Sequence, residues 1–334
     1  MSITAKELAK LLNLTPAAVS LALNDKPGVS DATRQKVKDA AVSHGYDFSR
    51  IKMKSERNGF VYVIIYKKDG AIVDETPFFS ELIQGVSKGC KQIGHKEKII
   101  YLYEEDVTSE NLYNLFHKDC FGIILLGTEI TASPLQKFLD LKIPLVLLDN
   151  YIEELPCDCV LINNMQGSYI ATKHLIKTTK KHPGYLKSSY AINNFNGREL
   201  GFKKALIQSG YSVSATNIVP LTPSIDGAFL DFDTYLNNGG NVLPCYFADN
   251  DLIAVGVIKA LQKHGYHVPE DVKIVGFDNL SISQIFSPTL TTIHVPKIDM
   301  GFEAVMRLHG RTQTPGISFT KTELCTELIG RDSC

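Results

Sequence analysis

The chain opens with two short helices that only a tight turn can join. Thr4-Ala5-Lys6-Glu7 has the form of a capping box, in which the Thr hydroxyl and the Glu carboxylate satisfy free backbone donors at a helix start. Leu8, Ala9 and Leu12 then recur on one face, and Asn13, which tolerates left-handed backbone, marks a turn. Thr15 is a good N-cap with Pro16 at the first helical position, so a second helix runs to about Asn24. Small Ala9 facing Val19 lets the two helices cross closely, which is helix-turn-helix geometry. Pro27-Gly28 breaks the chain. Ser30 caps a third helix through about His44, Val37 and Ala41 close a mini-core, and Gly45 ends it. A generic three-helix bundle used for protein contacts has the same spacing.

At 334 residues the chain is too long for one core and suits a small domain plus a larger bilobed one. With 44% hydrophobic and 21% charged residues it has an ordinary globular composition. The net charge of -1 hides an asymmetry: residues 1–58 carry ten Lys/Arg against six Asp/Glu. A basic head on an acidic body fits a polyanion at one end, although such a segment also serves as a plain solvated surface. Met1-Ser2-Ile3-Thr4-Ala5-Lys6 lacks the apolar core of a secretory signal, and no run approaches a membrane span, so a cytoplasmic protein with no membrane partner is expected. Seven scattered cysteines read as reduced thiols; Cys157 and Cys159 form a CxC with no His or second Cys pair nearby, so neither metal nor cofactor is expected.

From Phe60 onward short apolar runs alternate with amphipathic stretches. Val61-Tyr62-Val63-Ile64-Ile65, Ile99-Ile100-Tyr101-Leu102, Gly122-Ile123-Ile124-Leu125-Leu126 and Pro144-Leu145-Val146-Leu147-Leu148 read as buried parallel strands, with helices at about 78–93, 108–117 and 133–141. A second series begins with Val160-Leu161-Ile162 and continues through Pro183-Gly184-Tyr185-Leu186, Cys245-Tyr246-Phe247-Ala248 and Val272-Lys273-Ile274-Val275-Gly276-Phe277. The expected fold is α/β, with two doubly wound lobes flanking a cleft.

The residues of the head, Thr4-Ala5-Lys6-Glu7-Leu8-Ala9, Leu14-Thr15-Pro16-Ala17-Ala18-Val19-Ser20 and Val29-Ser30-Asp31-Ala32-Thr33-Arg34, closely resemble the lactose-repressor family of bacterial transcription regulators. The likeness continues through Asp149, Arg198-x-x-Gly201-Phe202, Asn250-Asp251, Gly276-Phe277-Asp278 and Glu327-Leu328-Ile329-Gly330-Arg331. It implies an all-α helix-turn-helix domain at 1–46, a hinge at 47–58, and a periplasmic-binding-protein-like sensor at 59–334. Its lobes would span about 59–157 with 289–320, and about 158–288 with 321–334. It further implies a homodimeric repressor, with Ser80-Glu81-Leu82-Ile83 and residues 299–309 near the dimer face.

In that family the second helix enters the major groove, which places Pro16, Ala17 and Leu21 at base edges. None of them donates a hydrogen bond, so base reading there would rest on thymine methyls. Leu21 departs from the Arg of many relatives. Thr4, Thr15, Ser20, Asn24 and Arg34 are candidates for phosphate contacts. The family's hinge sequence is altered to Tyr46-Asp47-Phe48-Ser49-Arg50-Ile51-Lys52-Met53-Lys54-Ser55. Here Ile51 or Met53 would wedge into the minor groove, or the stretch is a basic tether that bends DNA less.

Ligands of open α/β sheets bind beyond the carboxyl ends of strands, where Asp149, Asn250 and Asp278 fall, although such residues often only cap the next helix. Asp278 with Arg198 offers a polyol acceptors and a planar donor, while Phe79 or Phe229 would stack on a pyranose face. The expected partners are operator DNA and a sugar-like effector that closes the lobes. Sugars, sugar phosphates and nucleobases all remain open as ligands. A solute-binding protein would share the sensor but has no use for the head. No GxSxG, P-loop, HExxH or dinucleotide fingerprint suggests an enzyme.

Overall fold

The computed structural model describes residues 3–23, 28–44, 46, 59–68, 78–116, 119–314 and 316–334. The chain divides into two units, Met1–Phe60 and Val61–Cys334.

In the first unit α1 (Ala5–Leu11), α2 (Pro16–Leu23) and α3 (Asp31–Ser43) form where the sequence signals place them. Thr4 makes the full capping box: its Oγ1 accepts from the Glu7 N–H at 3.3 Å, and its own N–H donates to Glu7 Oε2 at 2.7 Å. Asn13 adopts φ 52°, which turns the chain between α1 and α2. The Thr15 hydroxyl accepts from Ala18 N–H at 3.1 Å, and Ser30 Oγ accepts from Thr33 N–H at 3.2 Å. Leu8, Ala9, Val19, Ala22, Leu23, Val37 and Ala41 make the core, which holds both Ala9 and Val19.

The second unit holds two six-stranded sheets. Along the chain come β1 (Phe60–Lys67), α4 (Phe78–Ile93), β2 (Lys96–Tyr103), α5 (Ser109–Phe116), β3 (Cys120–Leu126), α6 (Ala132–Asp140), β4 (Leu145–Leu148) and β5 (Asp158–Ile162). There follow α7 (Asn164–Thr179), β6 (Gly184–Ser188), α8 (Asn193–Gln208), β7 (Ile218–Leu221), α9 (Ile225–Asn237), β8 (Cys245–Ala248), α10 (Asp251–Lys263) and β9 (Lys273–Asp278). The chain then passes through α11 (Ile282–Ile285), β10 (Thr291–His294), α12 (Lys297–Gln313), β11 (Lys321–Leu324) and β12 (Glu327–Ile329). The first sheet runs β11-β5-β4-β3-β1-β2 and the second β12-β10-β9-β8-β6-β7. In the second, every neighbouring pair is parallel except β10 with β12. The inner strands β1, β3, β4, β5, β8 and β9 are buried almost throughout, as central parallel strands covered by helices must be. Strand β2, expected to be buried, instead lies at a sheet edge and is largely exposed, and the edge strands β11 and β12 are exposed or half-buried. Helices α4 and α12 cross with backbones nearly touching: a Cβ on Gly85 would fall 2.0 Å from the Ile298 carbonyl oxygen.

The lobe boundaries differ from those expected at 157, 288 and 320. Strand β5 belongs to the first sheet rather than opening the second, with β11 beside it, and β10 belongs to the second. Asp158, fully buried, shows the cause. Its carboxylate takes Arg307 Nε at 2.7 Å, Arg311, and Thr320 N–H at 2.9 Å, tying β5 to α12 and to the start of β11. Three passages therefore join the lobes, after Ile162, between β10 and α12, and between β11 and β12. Apolar runs announce a strand but carry no information about which sheet receives it.

Candidate functional sites in the head and the sensor

On the head, Pro16, Ala17 and Ser20 form an exposed face of α2, while Leu21 is half-buried. Thr4 and Thr15 are exposed at the two helix starts, each hydroxyl already engaged as a cap. Arg34 reaches across from α3, with Nη1 donating to the Leu21 carbonyl at 3.4 Å. Asn24 of the expected DNA-contacting set, and the hinge residues Ile51 and Met53, lie outside the described residues.

In the sensor the loops after β4, β8 and β9 and the N-terminus of α8 meet around a pocket. It is lined by Phe78, Phe79 and Asp149 from one lobe, and by Asn194, Phe195, Arg198, Asn250 and Asp278 from the other. Five expected residues thus come together: Phe79, Asp149, Arg198, Asn250 and Asp278. Phe229 does not join them. It packs on α9 against the second lobe's core, with the ammonium groups of Lys259 and Lys263 about 5 Å from its ring, and Phe195 supplies the additional aromatic face instead. A helical residue's facing depends on where its helix is docked, and that is not local information.

Arg198 is held from every side. Nη2 pairs with Asp278 Oδ1 at 3.1 Å, Nε donates to Asn164 Oδ1 at 2.9 Å, and Nη1 donates to the Asp249 carbonyl. The guanidinium lies 3.8 Å from the centre of the Phe277 ring. Such a fork is preorganised, so a ligand meets a donor plane that has already lost its freedom. Beneath it the buried Lys297 Nζ donates to the Asp278 carbonyl at 2.8 Å and stands 3.5 Å from Glu81. Asp149 accepts from the Thr128 hydroxyl at 2.6 Å and from Asn194 Nδ2 at 3.1 Å, a bond between the lobes. A second bond between the lobes runs from Asn193 Nδ2 to the Asn150 side chain at 3.0 Å.

Burial dominates the electrostatics. It lifts the Asp149 carboxyl to about 6 and Asp249 to about 7 against the pull of their hydrogen bonds, and it raises Asp278 despite the adjacent Arg198 and Lys297. Asp251, behind the pocket, is pushed to about 8 by burial and by the charge of Asp278. Asp149 and Asp278 also hold left-handed backbone, at φ 66° and 103°, a strain that side chains bear where their direction matters. Asn250 serves as a cap, its Oδ1 accepting from Ile253 N–H at 2.8 Å, so the bland expectation for that residue holds alongside its place in the pocket.

The free volume inside is about 40 Å³, room for little more than one water. A wider cleft of about 570 Å³ adjoins the pocket, sharing Thr128, Ile192 and Asn194. Asn194 escaped the sequence reading, yet it lies four residues before Arg198 on one helix face, and that spacing was the available signal. Lys297 left no such trace.

The chain matches two family models: residues 4–48 match bacterial regulatory proteins of the lacI family, and residues 172–334 a periplasmic binding protein-like domain. It is 30% identical over 306 residues to the HTH-type transcriptional repressor PurR of Actinobacillus pleuropneumoniae serotype 3, covering 90% of this chain and 89% of that protein. It is 29% identical to the ribose operon repressor of Haemophilus influenzae, over 99% of this chain and 98% of the other. The solved structure of a transcriptional regulator CelR–cellobiose complex superposes with a TM-score of 0.73 at 24% identity, covering 99% of this chain and 100% of that one.

Proposed function

We propose, from the premise that this chain belongs to the lacI family of bacterial regulatory proteins, a repressor switched by a small sugar. The chain is a DNA-binding transcription repressor with a small-molecule effector, and not an enzyme. It acts as a homodimer in the cytoplasm; among the described residues no helix is long and apolar enough to cross a membrane.

The effector is a polyol bound between the lobes. The observation that supports this reading is the Arg198–Asp278 pair at 3.1 Å, flanked by Asp149 and Asn250 and faced by Phe79 and Phe195. Paired hydroxyls take carboxylate acceptors and the guanidinium plane, while a pyranose face lies on an aromatic ring. A relative is named a ribose operon repressor and a structurally similar transcriptional regulator was solved with cellobiose, which accords with a carbohydrate. Pro16, Ala17 and Leu21 reach base edges in the groove of the operator, while Thr4, Thr15, Ser20, Asn24 and Arg34 meet phosphate. Ile51 and Met53 belong to the hinge between residues 47 and 58.

Mechanistically, the effector must bind one lobe arrangement better than the other, and a coupling of about 1–3 kcal/mol would shift operator affinity roughly 5–150-fold. The test is a thermal-shift screen of neutral carbohydrates, followed by gel shift on the gene's own upstream DNA with and without the hit. Loss of the sugar response in Arg198→Ala is expected, and an unchanged response would remove Arg198 from the site. A dimer that prefers no duplex over random competitor, liganded or not, would end the reading.

A further inference from the structure

A groove of about 600 Å³ runs along the C-terminal half of α7, away from the effector pocket, with Lys173, His174, Lys177 and Lys180 along one side. A spacing of four residues sets Lys173 and Lys177 on one helix face, where like charges repel, and Lys180 follows as the left-handed C-cap at φ 57°. Among the described residues none of the three meets a carboxylate; Lys173 Nζ is hydrogen-bonded to Ser209 Oγ at 3.0 Å. Lys177 and Lys180 sit where a helix C-terminus favours cations, which explains them in part. Lys173 lies a turn earlier, outside that explanation.

His174 points further toward a ligand. Burial, with Lys177 and Lys273 nearby, lowers its pKa, and its buried Nε2 has no hydrogen-bond partner. A buried polar atom left so is uncommon. The apolar part of the lining comes from Ile170 and Ile176 of the same helix together with Tyr211 and Leu328.

We propose that this groove binds a phosphorylated small molecule, with its phosphate on Lys173, Lys177 and Lys180 and a ring-like body against the apolar wall. A phosphate presents several oxygens in one compact group, which suits three point-charge donors lining one groove. The same helix links the groove to the pocket. At its N-terminal end Asn164 accepts from Arg198 Nε at 2.9 Å and donates to Asn194 Oδ1 at 3.0 Å. Occupancy of the groove would thus bear on the residues that line the pocket, a regulatory sense that rests on the effector reading, whereas the binding itself does not.

The experiment is calorimetric titration of the full-length protein with AMP, adenosine and inorganic pyrophosphate. AMP and pyrophosphate bind and adenosine does not. Lys173→Gln with Lys177→Gln and Lys180→Gln, changes at one half-buried and two exposed positions that leave the melting temperature in place, weakens AMP by about tenfold or more, and added salt weakens the parent similarly. The proposal is overturned if neither phosphate compound binds at millimolar concentration, if adenosine binds as well as AMP, or if the triple variant binds AMP as the parent does. Binding of a polyglutamate peptide in place of AMP reassigns the groove to a protein partner and also overturns it. A sugar screen without hits would leave this outcome untouched, so the two failures are separable.

Discussion

The head and the sensor bury opposite kinds of residue. The three-helix head closes over seven apolar side chains and buries no charge among its described residues, leaving its polar groups on the surface as caps and candidate contacts. The sensor buries Asp149, Arg198, Asp249, Asp251, Asp278 and Lys297 around one pocket. A surface that meets a large, highly charged partner needs only to be presented, whereas a pocket that recognises a small molecule has to hold its polar groups dry and aimed. The second arrangement costs stability at every unmatched group, so the sensor is where substitutions should be felt most and where pH should act.

The largest effect is expected from Arg198→Ala, which strips the partner from Asp278 and leaves the Asp249 carbonyl and Asn164 without their donor. A loss of about 3–5 kcal/mol in sensor stability is expected by denaturant unfolding, since breaking a buried pair strands a charge. A melt within 1 kcal/mol or so of the parent would show that the pocket is not a high-stakes network. Leu8→Ala tests the other side. It should cost the head about 2–5 kcal/mol, abolish operator binding and leave the sensor's melting temperature and sugar response intact. A parallel fall in sensor stability would break the contrast.

The pH response should belong to the sensor. Asp149, Asp249 and Asp251 have folded values raised to about 6, 7 and 8 from an ordinary 3.8, so the folded state holds protons that the unfolded chain releases. Their contribution is full at pH below about 4 and is lost as pH rises through 6 to 8, so from these groups stability falls with pH across that window. Asp251→Asn keeps an acceptor for Leu280 N–H or the Thr292 hydroxyl and removes the charge. It should flatten the slope and add about 1 kcal/mol or more at pH 8, read from urea midpoints at pH 5 and 8. An unchanged slope would place the titration elsewhere. The smallest effect is Thr15→Ala, which removes the α2 cap for about 1 kcal/mol and weakens operator binding without touching sugar binding. An altered sugar affinity would contradict that separation.

Reading the chain residue by residue recovered whatever is local. Thr4 with Glu7, Thr15 with Pro16, and Ser30 determine helix starts within one turn of backbone, so the head could be drawn before any coordinates existed. The sensor's inner strands were mostly legible, because a strand buried on both faces must be apolar throughout, whereas β7, β10, β11 and β12 carry too short or too polar a run to announce themselves. The positions of Asp149, Asn250 and Asp278 followed from where those strands end. Tertiary structure alone decided the rest. Asp158 drew β5 and β11 into the first sheet through arginines about 150 residues away, Phe229 turned to its own lobe while Phe195 took the pocket, and Lys297 slid beneath Asp278 from a distant helix. Each of these depends on contacts between segments remote in sequence. Periodicity reports which way a residue faces on its own element, and only packing determines what that face meets.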